Sequence, residues 1–261
     1  MVDWDGEGYA DVGALQRAVA ENTIAELTLA GTETVLDVGC GDGSVTLRIA
    51  DRLPRGSVVG VDASPRMIEK ARSRAVPDGA RAEFRIADAL DLPFDDDFDV
   101  AVSFNALHWV PDLQGALAGI ARSVVAGGRV IIQMVCASPR TSVEDVEMAV
   151  SARPRWAEFF TGFTPPYIHI EPEQFRDLAR DAGLDTTDLV VRDVEWDFGS
   201  REEFTRWCTV GSTDWTAHLD NADVPAFMND VVREYEQISG RPGLFLFTQM
   251  RAELIRTPNR P

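Results

Sequence analysis

The chain is short of positive charge. Its 261 residues carry 25 lysines and arginines against 43 acids, a formal net charge of −18. A field of that sign disfavours nucleic acid, whose phosphates need Lys/Arg surfaces. It disfavours an anionic membrane surface for the same reason and serves solubility. Cysteine is scarce too. Cys40, Cys136 and Cys208 are odd in number and widely spaced, so they build no disulfide framework and fit a reducing, cytoplasmic compartment. Cys40 and Cys136 fall in strand or turn positions and read as buried thiols. No metal-ligand spacing is present, so no metal is expected. The first residues, Met1-Val2-Asp3-Trp4-Asp5, are acidic and lack the apolar stretch of a secretory signal. No apolar run approaches the ~20 residues that span a bilayer. Internal repeats and low-complexity tracts are also missing. What remains is a chain of 45% hydrophobic and 26% charged residues, enough for a sizeable core in a single domain over residues 1–261.

What is present centres on Thr34-Val35-Leu36-Asp37-Val38-Gly39-Cys40-Gly41-Asp42-Gly43-Ser44. A short apolar run ends in glycines at alternate positions, and the amphipathic Val45–Ala50 follows. The reading is strand, tight turn, helix. Glycine lacks a Cβ, so such a turn can take φ > 0 and lay its backbone against a ligand. At a helix N-terminus this is a nucleotide-binding device.

Residues 11–30 carry an apolar stripe at helical spacing (Val12, Leu15, Val19, Ile24, Leu27), closed by Gly31. Apolar runs at 57–62, 81–88, 98–104 and 129–135 read as strands. Ser64-Pro65 opens a helix to about Ala75, and 113–125 reads as another, broken by Gly127-Gly128. Strand and helix therefore alternate through residue 135, with strands apolar enough to be covered on both faces. The fold class is α/β, a doubly wound, Rossmann-like, mostly parallel sheet. After Val135 the rhythm changes. An aromatic, proline-bearing stretch, a helix from Glu171 to Gly183, a strand near 190–198, helices over 201–238 and a strand at 244–255 follow. Segments 137–183 and 199–242 are read as a helical cap, and 184–198 with 243–256 as closing strands on a core of residues 1–136.

The glycine spacing is G-x-G-x-G, not the G-x-G-x-x-G of dinucleotide sites. Asp37, two residues before the first glycine, would repel a pyrophosphate but suit a cationic, phosphate-free ligand. The stretch Val35–Gly43 resembles the first motif of the S-adenosyl-L-methionine (SAM)-dependent methyltransferases with a Rossmann-like fold. Asp62 matches the family acid that accepts both ribose hydroxyls, and Asp88-Ala89 the position that takes the adenine amino group. Asn105 lies where the methionine end rests, and Gly127-Gly128 match a glycine pair before the fifth strand. The resemblance covers roughly residues 9–135. It implies cofactor contacts from Tyr9, Asp37, Gly39, Cys40, Gly41, Gly43, Asp62, Ala63, Met67, Asp88, Ala89, Leu90, Asn105 and His108.

Ser103-Phe104-Asn105-Ala106-Leu107-His108-Trp109-Val110-Pro111-Asp112 is similar to the trans-aconitate and juvenile hormone acid methyltransferases, which carry a like Leu-His-Trp run. Methyltransferases acting on a carrier-bound malonyl group have similar stretches. The resemblance implies that Gln16 and Trp109 hold a substrate carboxylate, and the Trp4…Tyr9…Leu15-Gln16 region agrees. The expected partner is a small carboxylic acid, methylated on oxygen to an ester. A carboxylate is ionised at neutral pH and needs no general base, whereas a phenol or amine does, with His108 the first candidate. Hydroxyl-O-, N- and C-methylation stay open, as does a SAM-binding protein without catalysis. A nicotinamide dehydrogenase is opposed by the glycine spacing. Arg153, Arg155, Arg201, Arg206 and Arg241 are the candidate cations of the cap, while His169 and His218 read as surface histidines and the aromatics of 156–167 as cap core.

Overall fold

The computed structural model describes residues 14–258. A seven-stranded sheet with the order β3-β2-β1-β4-β5-β7-β6 organises them. Its strands are β1 (Thr34–Val38), β2 (Ser57–Asp62), β3 (Ala82–Ile86), β4 (Phe98–Phe104), β5 (Val124–Val135), β6 (Leu184–Asp197) and β7 (Leu244–Arg256). β1 to β5 run parallel, and β7 lies antiparallel between β5 and β6. The mostly parallel, Rossmann-like sheet is therefore present, closed by an antiparallel pair.

Alternation along β1 sorts the two faces, as a period of two requires. Leu36 and Val38 face a core built by α4 (Leu113–Ser123) and α6 (Pro172–Asp181), with Leu117, Ile120 and Phe175. Val35 faces the other core, with Ile24 and Leu27 at the end of α1 (Ala14–Glu26) and Ile49 and Leu53 around α2 (Ser44–Asp51). α3 (Pro65–Ser73) starts as the sequence suggests, with Pro65 in its first turn and the Ser64 hydroxyl accepting from Met67 N at 3.2 Å.

A third, aromatic core fills the helical region of the C-terminal half. α5 (Val143–Ser151), α7 (Arg201–Gly211), the short α8 (Thr213–Thr216) and α9 (Val224–Ser239) enclose Trp156, Phe160, Phe204, Trp215, Phe227 and Tyr235. Phe245 and Phe247 of β7 pack beneath them. Trp156 and Phe160 are thus core as expected, while Phe159 is exposed.

Three element boundaries differ from the sequence reading. The first helix ends at Glu26, not Ala30, because Glu33 turns back and accepts the backbone N–H groups of Ala30, Gly31 and Thr32. Gly127-Gly128 does not break a helix. α4 has already ended at Ser123, and β5 runs through the pair, with an irregular step between Phe98 and Val100 of β4 absorbing the extra residues. The closing segment expected over 184–198 forms one strand, Leu184–Asp197, longer than the alternating run at 190–198, since β7 is long enough to pair its whole length.

Candidate functional site

In an open α/β sheet, ligands bind beyond the carboxyl ends of the strands where the winding reverses. Here the chain winds from β1 outward to β3, then returns to β4 on the other side of β1. The crevice between the ends of β1 and β4 is that switch point, and the glycine turn and Asn105 flank it.

The turn is folded over the end of β2. Gly39 and Cys40 both donate their N–H to the Val61 carbonyl, at 2.8 and 2.9 Å. Gly39, Gly41 and Gly43 all have positive φ, at 75°, 53° and 77°. Gly39 needs more than its dihedral, because a Cβ there would lie 2.1 Å from that of Ala106. A Cβ on Gly41 would meet nothing within 4 Å, so the turn keeps an open face. Asp62, at the end of β2, binds the turn from below: its Oδ2 accepts from Gly41 N and its Oδ1 from Ser64 N, both at 2.9 Å. Asp42 serves the fold, accepting from Ser44 N at 3.1 Å and pairing with Arg74.

Asp37 is 2% exposed and its Oδ2 accepts from the Thr46 hydroxyl at 2.6 Å. Burial pushes its pKa up to about 7, against the Thr46 bond and with the charge of Asp62 acting in the same upward sense. Cys40 is buried as expected, and desolvation pushes its thiol well up, so it is no thiolate nucleophile. Cys136 is also buried. Ala63 is half-buried and Met67 buried beside Asp62. Asp88 follows β3, its Oδ1 accepting from Leu90 N at 3.0 Å. Ala89 is half-buried, while Leu90 and Ile86 are exposed large hydrophobics there.

Asn105 holds a left-handed φ of 56°, uncommon for a non-glycine residue. Its N–H donates to the Gln133 carbonyl at 2.7 Å and its Oδ1 accepts from Gln249 Nε2. The next turn, Leu107–Trp109, carries His108 and Trp109 with ring centroids 5.2 Å apart. His108 is 5% exposed, and its Nδ1 has no hydrogen-bond partner among the described residues. Burial, then the nearby His169, depresses its pKa to about 3. Trp109 is half-buried against the aromatic core. Gln16 lies on α1, but its side chain, like Tyr9 and Trp4, falls outside the described residues.

The five arginines expected to serve an anionic substrate are occupied. Arg153 pairs with Glu234 at 2.8 Å, Arg155 with Asp230 at 3.6 Å and Arg241 with Asp197 at 3.0 Å. Arg201 pairs with Glu236 and Arg206 with Glu203. His218 is exposed against Phe160 and Phe163 as expected, but His169 is not a plain surface residue, since its Nε2 is buried. The sequence reading missed Arg140 and the buried carboxyls Glu144 and Glu147 of α5. The signal for α5 was local: Ser142-x-x-Asp145 forms a capping box. Among the described residues no group of His, Cys, Asp and Glu could hold a metal ion, and no helix is long and apolar enough to cross a membrane.

Residues 35–128 match a family model described as "Methyltransferase domain". The residues of the crevice fit a SAM cofactor: a glycine turn with an open face and an acid, Asp62, at the end of β2. Over residues 35–128 the chain thus carries a methyltransferase domain, and its fold and glycine turn are similar to those of SAM-dependent methyltransferases. It is related distantly to the trans-aconitate methyltransferases. It is 33% identical over 134 residues to trans-aconitate 2-methyltransferase of Methylobacterium nodulans, covering 51% of this chain and 50% of that protein. It is 32% identical over 162 residues to the enzyme of the same name from Variovorax paradoxus, covering 60% of each. The match thus spans about half the length of these relatives. In fold it is similar to phosphoethanolamine N-methyltransferase 2 of Haemonchus contortus, solved in complex with SAM, at a TM-score of 0.63 and 17% identity over 97% of this chain and 57% of that one.

Proposed function

We propose that the protein methylates a carboxylate oxygen of a small organic acid, forming a methyl ester. The carrying observation is His108, buried, unpartnered at Nδ1 and depressed in basicity to about 3. A base that weak does not deprotonate a phenol or an ammonium at neutral pH, since proton transfer works best when the base's pKa lies near the working pH. A carboxylate brings its charge already formed. The relatives named trans-aconitate 2-methyltransferase support the same acceptor class.

When bound, SAM supplies an electrophilic methyl on a sulfonium that departs as a neutral thioether. The Gly39–Gly43 backbone and Asp62 would hold it, together with Asp88, Asn105, Tyr9, Cys40, Ala63, Met67, Ala89, Leu90 and His108. Asp37 supplies a negative charge to the cationic end once it ionises. Gln16 and Trp109 position the acceptor, and of the expected cap segments 137–183 and 199–242 the parts that pack in the aromatic core close over it and exclude water, which strips hydration from a weak nucleophile, while α6 stays in the core on the sheet face. Alignment at near-attack distance then supplies most of the rate. The test is incubation with methyl-labelled SAM and a panel of carboxylic acids. Base-labile label on an acid is the expected product. Transfer confined to amines or phenols overturns the carboxylate reading.

A further inference from the structure

One cavity holds polar atoms that the cofactor crevice does not use. It has a volume of about 420 Å³ and lies beyond the end of β5, between residues 136–142, the first turn of α5, residues 165–169 and the start of β7. Two of its lining residues, Arg140 and His169, each carry a buried nitrogen without a hydrogen-bond partner among the described residues: Nη1 of Arg140 and Nε2 of His169. A guanidinium keeps its protons at any physiological pH, so the Arg140 atom is a charged donor with no acceptor. An unmet buried donor of this kind is costly, more so when charged.

The neighbours explain why protein groups leave these atoms unmet. Arg140 Nη2 lies 3.3 Å from Asp193 Oδ2, and the other oxygen of Asp193 accepts from the Thr248 hydroxyl at 2.7 Å. Asp193 therefore fixes one arm of the fork and leaves the other turned away. Asp145 is committed as well, accepting from Ser142 N at 3.0 Å and from the Tyr167 hydroxyl at 2.9 Å. Burial pushes the Glu144 carboxyl up, toward its uncharged form, which lessens its opposition to an anion. Ile168 N donates to the His108 carbonyl at 2.8 Å, so the His169 side of the cavity adjoins the cofactor crevice.

We propose that Arg140 and His169 form a binding site for a carboxylate, separate from the point of methyl transfer. Nη1 of Arg140 donates one charge-assisted bond, and His169, as its Nε2–H tautomer, donates the second. The carboxylate is either a non-reacting group of the acceptor or a separate organic acid. Only the first source rests on the ester-forming reading above.

The test is calorimetric titration of the full-length protein with acetate, succinate and citrate, and with dimethyl succinate as the uncharged control. Wild type, Arg140→Gln, Arg140→Lys and His169→Asn are compared, with SAM titrated into each as a check on folding. At least one acid binds saturably to wild type while the diester does not. That affinity falls by about tenfold or more in Arg140→Gln, the size expected for a charge-assisted pair, and partly in Arg140→Lys, which lacks the fork. SAM affinity stays unchanged in all. Equal binding by Arg140→Gln, or no saturable acid binding in wild type, overturns the site. Labelled SAM then separates the sources. If the bound acid is methylated, Arg140→Gln raises its KM and keeps kcat. If it binds through Arg140 and is never methylated, it is a separate ligand and the site stands. An ester-forming reading that fails on every acid, with Arg140-dependent binding intact, fails by itself.

Discussion

Ser212 stands between the carboxyl of Glu147 and the carbonyl of Cys208, bonded to both, the latter at 2.6 Å. A hydroxyl has one proton to donate. If that proton goes to the Cys208 carbonyl, Glu147 must hold its own proton and donate it to Ser212. Glu147 is 2% exposed, and desolvation with the neighbouring Glu144 pushes its pKa well above the ordinary range. The folded state therefore holds this proton to higher pH than the unfolded chain does. Stability falls as pH rises from the ordinary glutamate range toward the raised value, because the unfolded chain binds fewer protons there. Glu147→Gln keeps a donor to Ser212 and removes the titration. Thermal unfolding is expected to show the variant more stable than wild type near neutral pH, with the difference shrinking as pH falls through the ordinary glutamate range.

Asp37 gives a second pH effect, this time on binding. Its pKa near 7 leaves it partly protonated in the free protein at neutral pH. A cationic ligand beside it favours the ionised form, so SAM uptake releases a proton. Calorimetry in buffers of different ionisation enthalpy is expected to find a fractional proton released near pH 7. SAM affinity should rise with pH between about 5.5 and 7.5 and flatten beyond. Asp37→Asn abolishes both trends.

Gly39→Ala tests the closeness of the turn to the β4 loop. The new methyl would lie 2.1 Å from Ala106 Cβ, at a φ of 75° that L side chains rarely adopt. Expected are a loss of about 2–4 kcal/mol in stability, read by chemical denaturation, and SAM affinity weakened beyond detection. Gly41→Ala, with nothing within 4 Å, separates the two effects. Its φ of 53° costs about 1 kcal/mol, but its methyl intrudes on the open face, so binding suffers more than folding.

His108→Asn addresses the need for a base. With a carboxylate acceptor, kcat is expected to fall less than tenfold, below the 10²–10⁴ that general-base catalysis contributes. The pH profile of the variant should keep the shape of the wild type. A steep loss restored only at high pH would make His108 a base and move the acceptor to a hydroxyl or amine.

The doubly wound half of the molecule was legible because each of its devices is local. The Val35–Val38 run, the alternate glycines and Ser64-Pro65 write strand, turn and cap within a few residues. Asp62 was legible as the acid that ends the second apolar run, and its site role came from the resemblance; the structure adds its bond to Gly41 N. The helical region was legible as helices and aromatic composition, but not in its long-range pairings. Arg140 acquires meaning from Asp193 on β6, 53 positions away, which the Thr248 hydroxyl on β7 holds in turn. Glu144 and Glu147 look like ordinary acids on a helix, and nothing local announces that α7 and α9 will bury them. The five arginines misled for the converse reason: with acids so abundant, each found a neighbour before any ligand could.

The position of β7 between β5 and β6 has a consequence for the order in which the chain assembles. Among the described residues β6 pairs with β7 alone, and β5 has β7 as its outer neighbour. Until residues 244–256 leave the ribosome, β5 is an open edge and the 14-residue β6 has no ladder to join. Such unpaired edges are templates for wrong partners. The nascent protein thus waits for a strand made more than a hundred residues after the edge it must cover.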